Sequence, residues 1–313
     1  MKLVIAFVLD LILGDPEHWP HPVRWIGSLI VSTEDFLRRY FPRRERLAGV
    51  FLTLIVCAVT YGITFAIVYF SYRIYFWAGF IVESFLIYTA LSVKSLSMAA
   101  LDVFQKLKLG DLESARQAVG KIVGRDTEHM SEREVTRAAV ETVAENTVDG
   151  ILSPLFFAML GGAPLAMLFK AASTLDSMVG YRNERYKDFG WASARFDDML
   201  NFIPARVCYL LIPGAAWILK LDFKNAFQIV CRDGQKHSSP NSGIAEAAFA
   251  GALNVQLGGT NFRSGKAMEY PLLGDGNGPQ LDDIPKAVNL SLAVSSIWLL
   301  FLMSLLISSR EIL

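Results

Sequence analysis

Apolar residues occur in long runs along this chain. Residues 47–70 and 287–309 contain no charge, and residues 74–93 contain only Glu83. An α-helix needs about 20 predominantly apolar residues to cross a bilayer. The sequence therefore predicts three membrane-spanning helices in these ranges.

Two more apolar stretches, residues 151–169 and 199–219, are interrupted by helix breakers. The first contains Gly161-Gly162 and two prolines, and the second contains two prolines and Arg206. Breakers and charges at membrane depth are tolerated where the backbone packs in protein or lines a wet cavity. We expect broken helices here, and we favour re-entrant or half-inserted segments over full crossings.

Residues 94–150 have the pattern of soluble helices. Asp111 is predicted to cap a helix that runs to about Val123, and Ser131 with Glu134 has the spacing of a capping box. No strand-rich region is evident in the sequence. The predicted fold is an all-α, multi-pass integral membrane protein with broken or re-entrant helices and a helical cytoplasmic insert. Its predicted segments are 1–93, 94–150, 151–286 and 287–313.

Composition and charge agree with a membrane location. Hydrophobic residues make up 53% of the 313 residues and charged residues 19%, whereas soluble domains carry about 25% charged residues. Thirty basic and thirty acidic residues cancel, so the net charge indicates no nucleic-acid partner. Five arginines precede the first span, which places that loop in the cytoplasm by the positive-inside rule; they are Arg38, Arg39, Arg43, Arg44 and Arg46.

Acidic residues form a stripe on the predicted helix over residues 131–149. Glu134, Glu141, Glu145 and Asp149 fall on one face at about 100° per residue. Such a stripe is either a solvated face of an amphipathic helix or a carboxylate ladder that holds Mg²⁺. Mg²⁺ typically binds through one or two carboxylates and substrate phosphates.

A second acidic cluster consists of Asp197, Asp198 and Asn201, which lie within about one helical turn of each other. It is either a hard-cation site or a set of acids favoured at a helix N-terminus. Basic residues lie around the two clusters, and arginine side chains match phosphate oxygens. These residues are Arg125, Lys170, Arg182, Arg195 and Arg206. Together they suit a phosphorylated, Mg²⁺-dependent substrate.

Three loops complete the candidate chemistry. Residues 236–243 (KHSSPNSG) precede a helix, so the loop is either an anion site or a plain Ser or Asn cap. The proline-rich segment 14–24 contains His18 and His21, which are structural histidines or metal ligands. Residues 259–267 resemble a phosphate-binding loop. The spacing is one residue too long and Ala267 replaces the required hydroxyl, so we expect an ordinary loop there.

Taken in order, several motifs of this chain resemble the CobD/CbiB family of cobalamin-biosynthesis proteins. The match extends over about residues 10–260 and is carried by long motifs. The motifs are GDP at 14–16, PHPV at 20–23, IVGRDT at 122–127, AAVETVAENTVDG at 138–150, SPLF at 153–156, TLDSMVGY at 174–181, Asn183-Glu184, Asp197-Asp198 and SPNSGIAEA at 239–247. Ser173 departs from the Asn that the family pattern has before Thr-Leu-Asp.

The resemblance implies an enzyme of the cell membrane, an adenosylcobinamide-phosphate synthase whose site faces the cytoplasm. It would join the ring D propionate of adenosylcobyric acid to (R)-1-amino-2-propanol or its O-phosphate through an amide bond. Since a carboxylate and an amine do not condense readily in water, the family is expected to use ATP and Mg²⁺. Its partners would be these substrates, membrane lipid and other late cobalamin-assembly enzymes.

The resemblance and the chemistry of the side chains together suggest roles for individual residues. The expected catalytic residues are Glu145, Asp149 and Asp176. The expected Mg²⁺ ligands are Glu141, Glu145, Asp197 and Asp198, with Asp149 beside them. The expected substrate-binding residues are His21, Arg125, Asn146, Lys170, Tyr181, Arg182, Asn183, Arg206, Ser239, Asn241 and Gly243. The loop around His21 would help to shape the corrinoid pocket.

Two other functions are compatible with parts of the sequence. A corrinoid transporter would also place charges within the membrane, but it predicts regular full-length spans and no dense acidic motifs. A membrane phospho-alcohol transferase is suggested by the Asp-Asp-x-x-Asn spacing at residues 197–201. That class needs an Asp-Gly-x-x-Ala-Arg pattern, which does not follow Asp149-Gly150.

Overall fold

A computed structural model describes residues 1–15, 21–181, 183–263 and 265–311. His18 and Arg182 lie outside the described residues. The described part is helical apart from one β-hairpin. The helices are α1 (Lys2–Leu13), α2 (Pro22–Tyr40), α3 (Glu45–Ile74), α4 (Phe76–Tyr88), α5 (Val93–Lys108), α6 (Leu112–Gly120), α7 (Glu132–Thr147), a π-helical turn (Val148–Leu152), α8 (Ser153–Val179), α9 (Trp191–Leu200), α10 (Phe202–Ile218), α11 (Phe223–Asp233), α12 (Ser242–Leu253) and α13 (Asp283–Glu311), and the strands are β1 (Leu257–Arg263) and β2 (Lys266–Leu273).

Helix length and composition confirm a multi-pass membrane protein. Four helical segments of the described chain are long and apolar enough to cross a bilayer: Glu45–Ile74, Phe76–Lys108, Glu132–Val179 and Asp283–Ser308. The bent pair α9 and α10 would be a fifth if it counts as one span. The spans predicted at 47–70 and 287–309 are thus confirmed, while re-entrant insertion of the other stretches stays a prediction.

The predicted span 74–93 extends past the C-terminal end of the helix found there. Helix α4 stops at Tyr88, and a turn leads to Ser92. Both the N–H and the hydroxyl of Ser92 donate to the Gly150 carbonyl, each at 3.1 Å. The turn after α4 is thus bound to the π-helical turn, which is distant in sequence.

Local signals placed several helix ends correctly. Asp111 accepts a hydrogen bond from the Ser114 N–H at 3.0 Å, although α6 ends at Gly120 rather than near Val123. Ser131 and Glu134 form the complete capping box at the start of α7. Within α8, Gly162 has a φ of 67° and interrupts the helix, so the predicted break is confirmed. Only a residue without a Cβ adopts this φ readily.

The chain divides into two compact units. Unit 1 comprises Met1–Ser92, Asp149–Asn201 and the C-terminal segment from Leu306. There α3 packs against α2, α4, α8 and α9, and α4 also packs against α1 and α8. Unit 2 comprises Val93–Val148 and Phe202–Leu305.

Unit 2 is built around α12. This helix packs against α7, α10 and α11, and every residue from Gly243 to Ala252 is buried. A helix that is apolar on all sides is stable when it is surrounded by protein. Glu246 is the one acidic residue of α12, and it must therefore be accommodated inside unit 2.

The segment resembling a phosphate-binding loop is part of a β-hairpin, not an ordinary loop as predicted. Strands β1 and β2 are antiparallel, with Thr260 opposite Glu269 and a bulge at the start of β1. Gly258 has a φ of 84°, and a Cβ added there would lie 2.0 Å from the Pro271 carbonyl oxygen. Glycine is thus required at this close approach of the two strands.

Candidate functional site

The loop of residues 237–242 forms a turn at the N-terminus of α12 in unit 2. The Ser239 hydroxyl accepts long hydrogen bonds from the N–H groups of Asn241, at 3.3 Å, and Ser242, at 3.5 Å. The Ser239 N–H donates to His237 Nδ1 at 3.1 Å. The N-cap of α12 is Asn241, whose side chain makes no capping hydrogen bond, and the Ser239 hydroxyl instead closes the turn through two bonds that are weak by their length.

Gly243 permits this turn to pack closely. A Cβ added at Gly243 would lie 2.6 Å from the His237 Cβ and 2.9 Å from the Gly234 carbonyl oxygen. Its predicted substrate role thus rests on the shape of the loop, since glycine has no side chain to offer.

Arg206 brings a positive charge to the same turn. Its Nη1 donates to the Asn241 side-chain oxygen at 2.5 Å, and its guanidinium lies 3.6 Å from the centre of the Phe202 ring. A guanidinium beside weakly bonded N–H groups at a helix N-terminus is suited to an anion. The structure thus brings together the predicted residues Arg206, Ser239, Asn241 and Gly243.

Glu145 connects the turn to α7. The Ser242 hydroxyl donates to Glu145 Oε1 at 3.3 Å. Glu145 is partly buried. Asn146, the neighbouring predicted residue, donates from its side-chain amide to the Thr142 carbonyl at 3.0 Å. The acidic face of α7 therefore borders the turn of residues 237–242.

Glu141 lies one turn earlier on α7 and is almost completely buried. Arg125 donates to Glu141 Oε2 at 2.6 Å, and the Gly258 N–H donates to Glu141 Oε1 at 2.8 Å. Arg137 Nε lies 3.7 Å from the same Oε1. Both carboxylate oxygens of Glu141 thus have partners within the protein, and the solvated-face interpretation does not hold for this residue.

Arg125 and Arg137 join the hairpin to the helices of unit 2. Both donate to the Asn261 side-chain oxygen, Arg125 at 2.6 Å and Arg137 at 2.9 Å. Arg137 also donates to the Gly258 and Thr260 carbonyls. Arg125 was predicted to bind substrate, and the contacts described here are with the protein's own side chains.

Glu246 lies within the SPNSGIAEA motif but was not among the predicted site residues. It lies one turn after Ser242 on α12, and its side chain is buried. Burial and the negative charges of Glu141 and Glu145 raise the pKa of Glu246 well above its ordinary value, while the charge of Arg125 acts in the opposite direction. The available signal in the sequence was a single acid within an otherwise apolar helix, because burying an unpaired charge is costly.

Asp233 is a second buried acid that was not predicted. Arg232 and Lys236 form ion pairs with it at 2.7 and 2.6 Å, and the Gly274 N–H donates to it at 2.9 Å. Hydrogen bonds from Arg232 hold the pKa of Asp233 far below its ordinary value. Both carboxylate oxygens of Asp233 therefore have partners, and this acid holds the segment that leads into residues 237–242.

In unit 1, charged groups meet around Lys170 on α8. The charges of Asp15, Asp149 and Asp10 all act on its ammonium group. His21 caps α2, because its Nδ1 accepts from the Val23 N–H at 3.4 Å, and its Nε2 lies 3.2 Å from Asp15 Oδ1. The structure thus groups His21, Asp149 and Lys170 in one unit, together with two aspartates that were not predicted.

The second acidic cluster is also part of unit 1. Asp197 accepts from the Asn201 amide at 3.0 Å, and Asp198 pairs with Arg195 at 3.1 Å. The Asn201 oxygen accepts from the Ser153 hydroxyl at 2.5 Å. The predicted one-turn relation of Asp197 and Asn201 is confirmed, and both acids are partly buried.

The remaining predicted residues of unit 1 lie between α8 and α9. Asp176 is partly buried, and a Cβ added at Gly180 would lie 1.9 Å from Asp176 Oδ1. Tyr181 contacts the Tyr186 ring with centroids 6.4 Å apart. Asn183 is exposed and accepts from the Tyr186 N–H at 3.0 Å. These contacts order the segment that follows α8.

The fold thus defines a helical, multi-pass membrane protein, and acidic side chains are grouped in each of its two units. The family model described as CobD/Cbib protein matches residues 3–291, and the chain belongs to this family. Its function therefore lies in cobalamin biosynthesis. No solved structure is detectably similar to it.

Curated relatives cover nearly the whole chain. The cobalamin biosynthesis protein CobD of Clostridium perfringens is 47% identical over 93% of this chain and 92% of the relative. The CbiB protein of Salmonella typhi is 47% identical over 94% and 93%. The CbiB protein of Salmonella typhimurium is 46% identical over 98% and 96%.

Proposed function

We propose that this chain is an amide-forming enzyme that converts adenosylcobyric acid to adenosylcobinamide or its phosphate. The nitrogen of (R)-1-amino-2-propanol, or of its O-phosphate, would attack the ring D propionate. The observation that carries the proposal is the turn of residues 237–242 next to Arg206 and Glu145, which offers sites for both signs of charge. A phosphorylated amine has both signs of charge.

The propionate must be activated before an amine can attack it. We propose that ATP supplies a phosphoryl group, so that an acyl phosphate forms and phosphate leaves as the C–N bond is made. The chain's own contribution would be to position the two reactants and neutralise phosphate charge, because preorganised donors are effective in a site that excludes water. Arg206 and the backbone N–H groups of the turn suit that task.

Mg²⁺ is proposed to accompany the phosphates. No group of three or more acidic, histidine or cysteine residues in the described ranges is arranged to hold a metal ion. Because Mg²⁺ usually uses one or two carboxylates and substrate phosphates, a larger cluster is not needed, and Asp197 and Asp198 of unit 1 stay the predicted ligands. Glu141 fits less well, since both its oxygens already have protein partners.

The membrane arrangement is proposed to place this chemistry in the cytoplasm. Arg39 in the last turn of α2 is exposed, as are Arg43 and Arg44 between α2 and α3, and basic residues in such a position mark the cytoplasmic side of a span. Unlike a transporter with regular spans, the chain has an α8 that is interrupted at Gly161 and Gly162. These two features support an enzyme whose site faces the cytoplasm.

A genetic experiment tests the proposed step. In a cobalamin-requiring strain that lacks its own family member, this chain should restore growth on cobyric acid. The same strain should grow on cobinamide without it, because cobinamide already contains the aminopropanol arm. A requirement for the chain on both precursors would instead indicate transport and would contradict the proposal.

A further inference from the structure

Two helices of unit 2 present polar side chains to each other. On α12, Ser242 and Glu246 are four residues apart and therefore lie on one face, and the same holds for Glu141 and Glu145 on α7. The two helices pack together, and the Ser242 hydroxyl reaches Glu145 Oε1 at 3.3 Å. Glu246 thus follows the turn of residues 237–242 by one helical turn, next to the acidic face of α7.

Glu246 is buried without a partner of its own. The residue is 9% exposed. Its side chain accepts no hydrogen bond and forms no ion pair with any residue in the described ranges. Leaving a carboxyl group in this state is costly. Its raised pKa has the same origin, because burial and two nearby negative charges disfavour its ionised form.

The charges around Glu246 are unevenly balanced. Glu141 is offset by Arg125 and by Arg137, but the described contacts give Glu145 only the Ser242 hydroxyl. A positively charged group between Glu145 and Glu246 would relieve this excess. Arg206 and the turn of residues 237–242 lie at the N-terminal end of the same helix and suit a negative group.

We propose that Glu246, together with Glu145, binds the primary ammonium group of the amino-alcohol co-substrate, while Arg206 and the turn of residues 237–242 hold its phosphate. This assignment rests on the proposed amide-forming function. An ammonium group has three N–H donors and one charge, which suits two carboxylates. Mg²⁺ is the alternative occupant, since it also binds through one or two carboxylates, and the Mg²⁺ requirement of a Glu246 variant distinguishes the two.

The variant Glu246→Gln tests this role with little change of shape. Loss of a charge-assisted hydrogen bond costs about 1.5–3 kcal/mol, and each 1.4 kcal/mol is a factor of ten, so the KM for aminopropanol phosphate should rise about ten- to hundredfold. The KM for the corrinoid should stay unchanged. Glu246→Asp keeps the carboxylate, so its KM for aminopropanol phosphate should lie between those of Glu246→Gln and the wild type. Glu132→Gln, an exposed change on α7, is the matched control.

Direct binding adds a readout that a merely structural role would not change. Wild-type protein in detergent should bind aminopropanol phosphate more tightly than isopropyl phosphate, which lacks the amine. Glu246→Gln should bind both about equally.

Some outcomes would overturn the assignment. An active Glu246→Gln variant with an unaltered KM for the amine would contradict it. A Glu246→Gln variant in which only the Mg²⁺ requirement changes would also contradict it. If the wild-type protein forms no amide from any of these reactants, the proposed function itself fails, which is a separate and distinguishable result.

Discussion

Replacing Arg125 by methionine is expected to destabilise unit 2 by about 3–5 kcal/mol, the usual cost of breaking a buried ion pair from one side. Arg125 has 16% of its side chain exposed and Glu141 has 7%. Without the guanidinium, Glu141 keeps the Gly258 N–H and the more distant Arg137. The remaining partners are insufficient for a buried carboxylate, and Asn261 also loses a donor.

Thermal unfolding of the purified protein in detergent measures this effect. Arg133→Met is the matched control, because Arg133 is exposed on α7, the helix that carries Glu141. Adding Glu141→Gln to Arg125→Met should recover part of the loss, since it removes the charge and keeps an acceptor for Gly258. A melting temperature for Arg125→Met equal to that of the control would show that the pair contributes no stability.

The largest effect on activity is expected for Arg206→Gln. Removing one donor to developing charge typically lowers turnover about 100- to 1,000-fold. The substitution removes both the hydrogen bond to Asn241 and the positive charge beside the turn. We therefore expect kcat/KM for aminopropanol phosphate to fall by about that factor, and the fall to be much smaller for unphosphorylated aminopropanol.

Steady-state assays with both amines measure this difference. Arg133→Gln is an exposed control for loss of one positive charge. An equal loss with both amines would assign Arg206 to the packing of the turn, because packing affects both substrates alike. Full activity with the phosphorylated amine would remove Arg206 from the site.

Features that depend on neighbours in the sequence were predictable. The capping box of Ser131 and Glu134 is formed within one turn, so its spacing was sufficient. The spans over α3 and α13 follow from length and hydropathy alone. The break at Gly161 and Gly162 follows from the residue type, because few other residues adopt a φ of 67°.

Features that depend on distant contacts were not predictable. The hairpin of β1 and β2 contains glycine and polar residues with no strand periodicity, and it is held by Arg125 and Arg137 from more than a hundred residues away. Ser92, which follows α4, binds the Gly150 carbonyl 58 residues away. No local pattern contains these partners.

The candidate residues were only partly predictable for the same reason. Residues 239–243 were identified from a motif and Arg206 as a charge near the acidic clusters, and the structure shows that Arg206 donates to Asn241. Glu246 was recognised within a motif but not chosen as a site residue, because an acid in the first two turns of a helix is also favoured by the helix dipole. Its burial, which separates these explanations, is set by the helices packed around α12.

Amide formation by the purified protein is the most direct test of the account. The wild-type chain in detergent or nanodiscs should convert adenosylcobyric acid, ATP, Mg²⁺ and aminopropanol phosphate to a product with the mass of adenosylcobinamide phosphate. Omitting ATP or the amine should abolish that product. Unchanged adenosylcobyric acid in the complete mixture, with well-folded protein present, would contradict the proposed function.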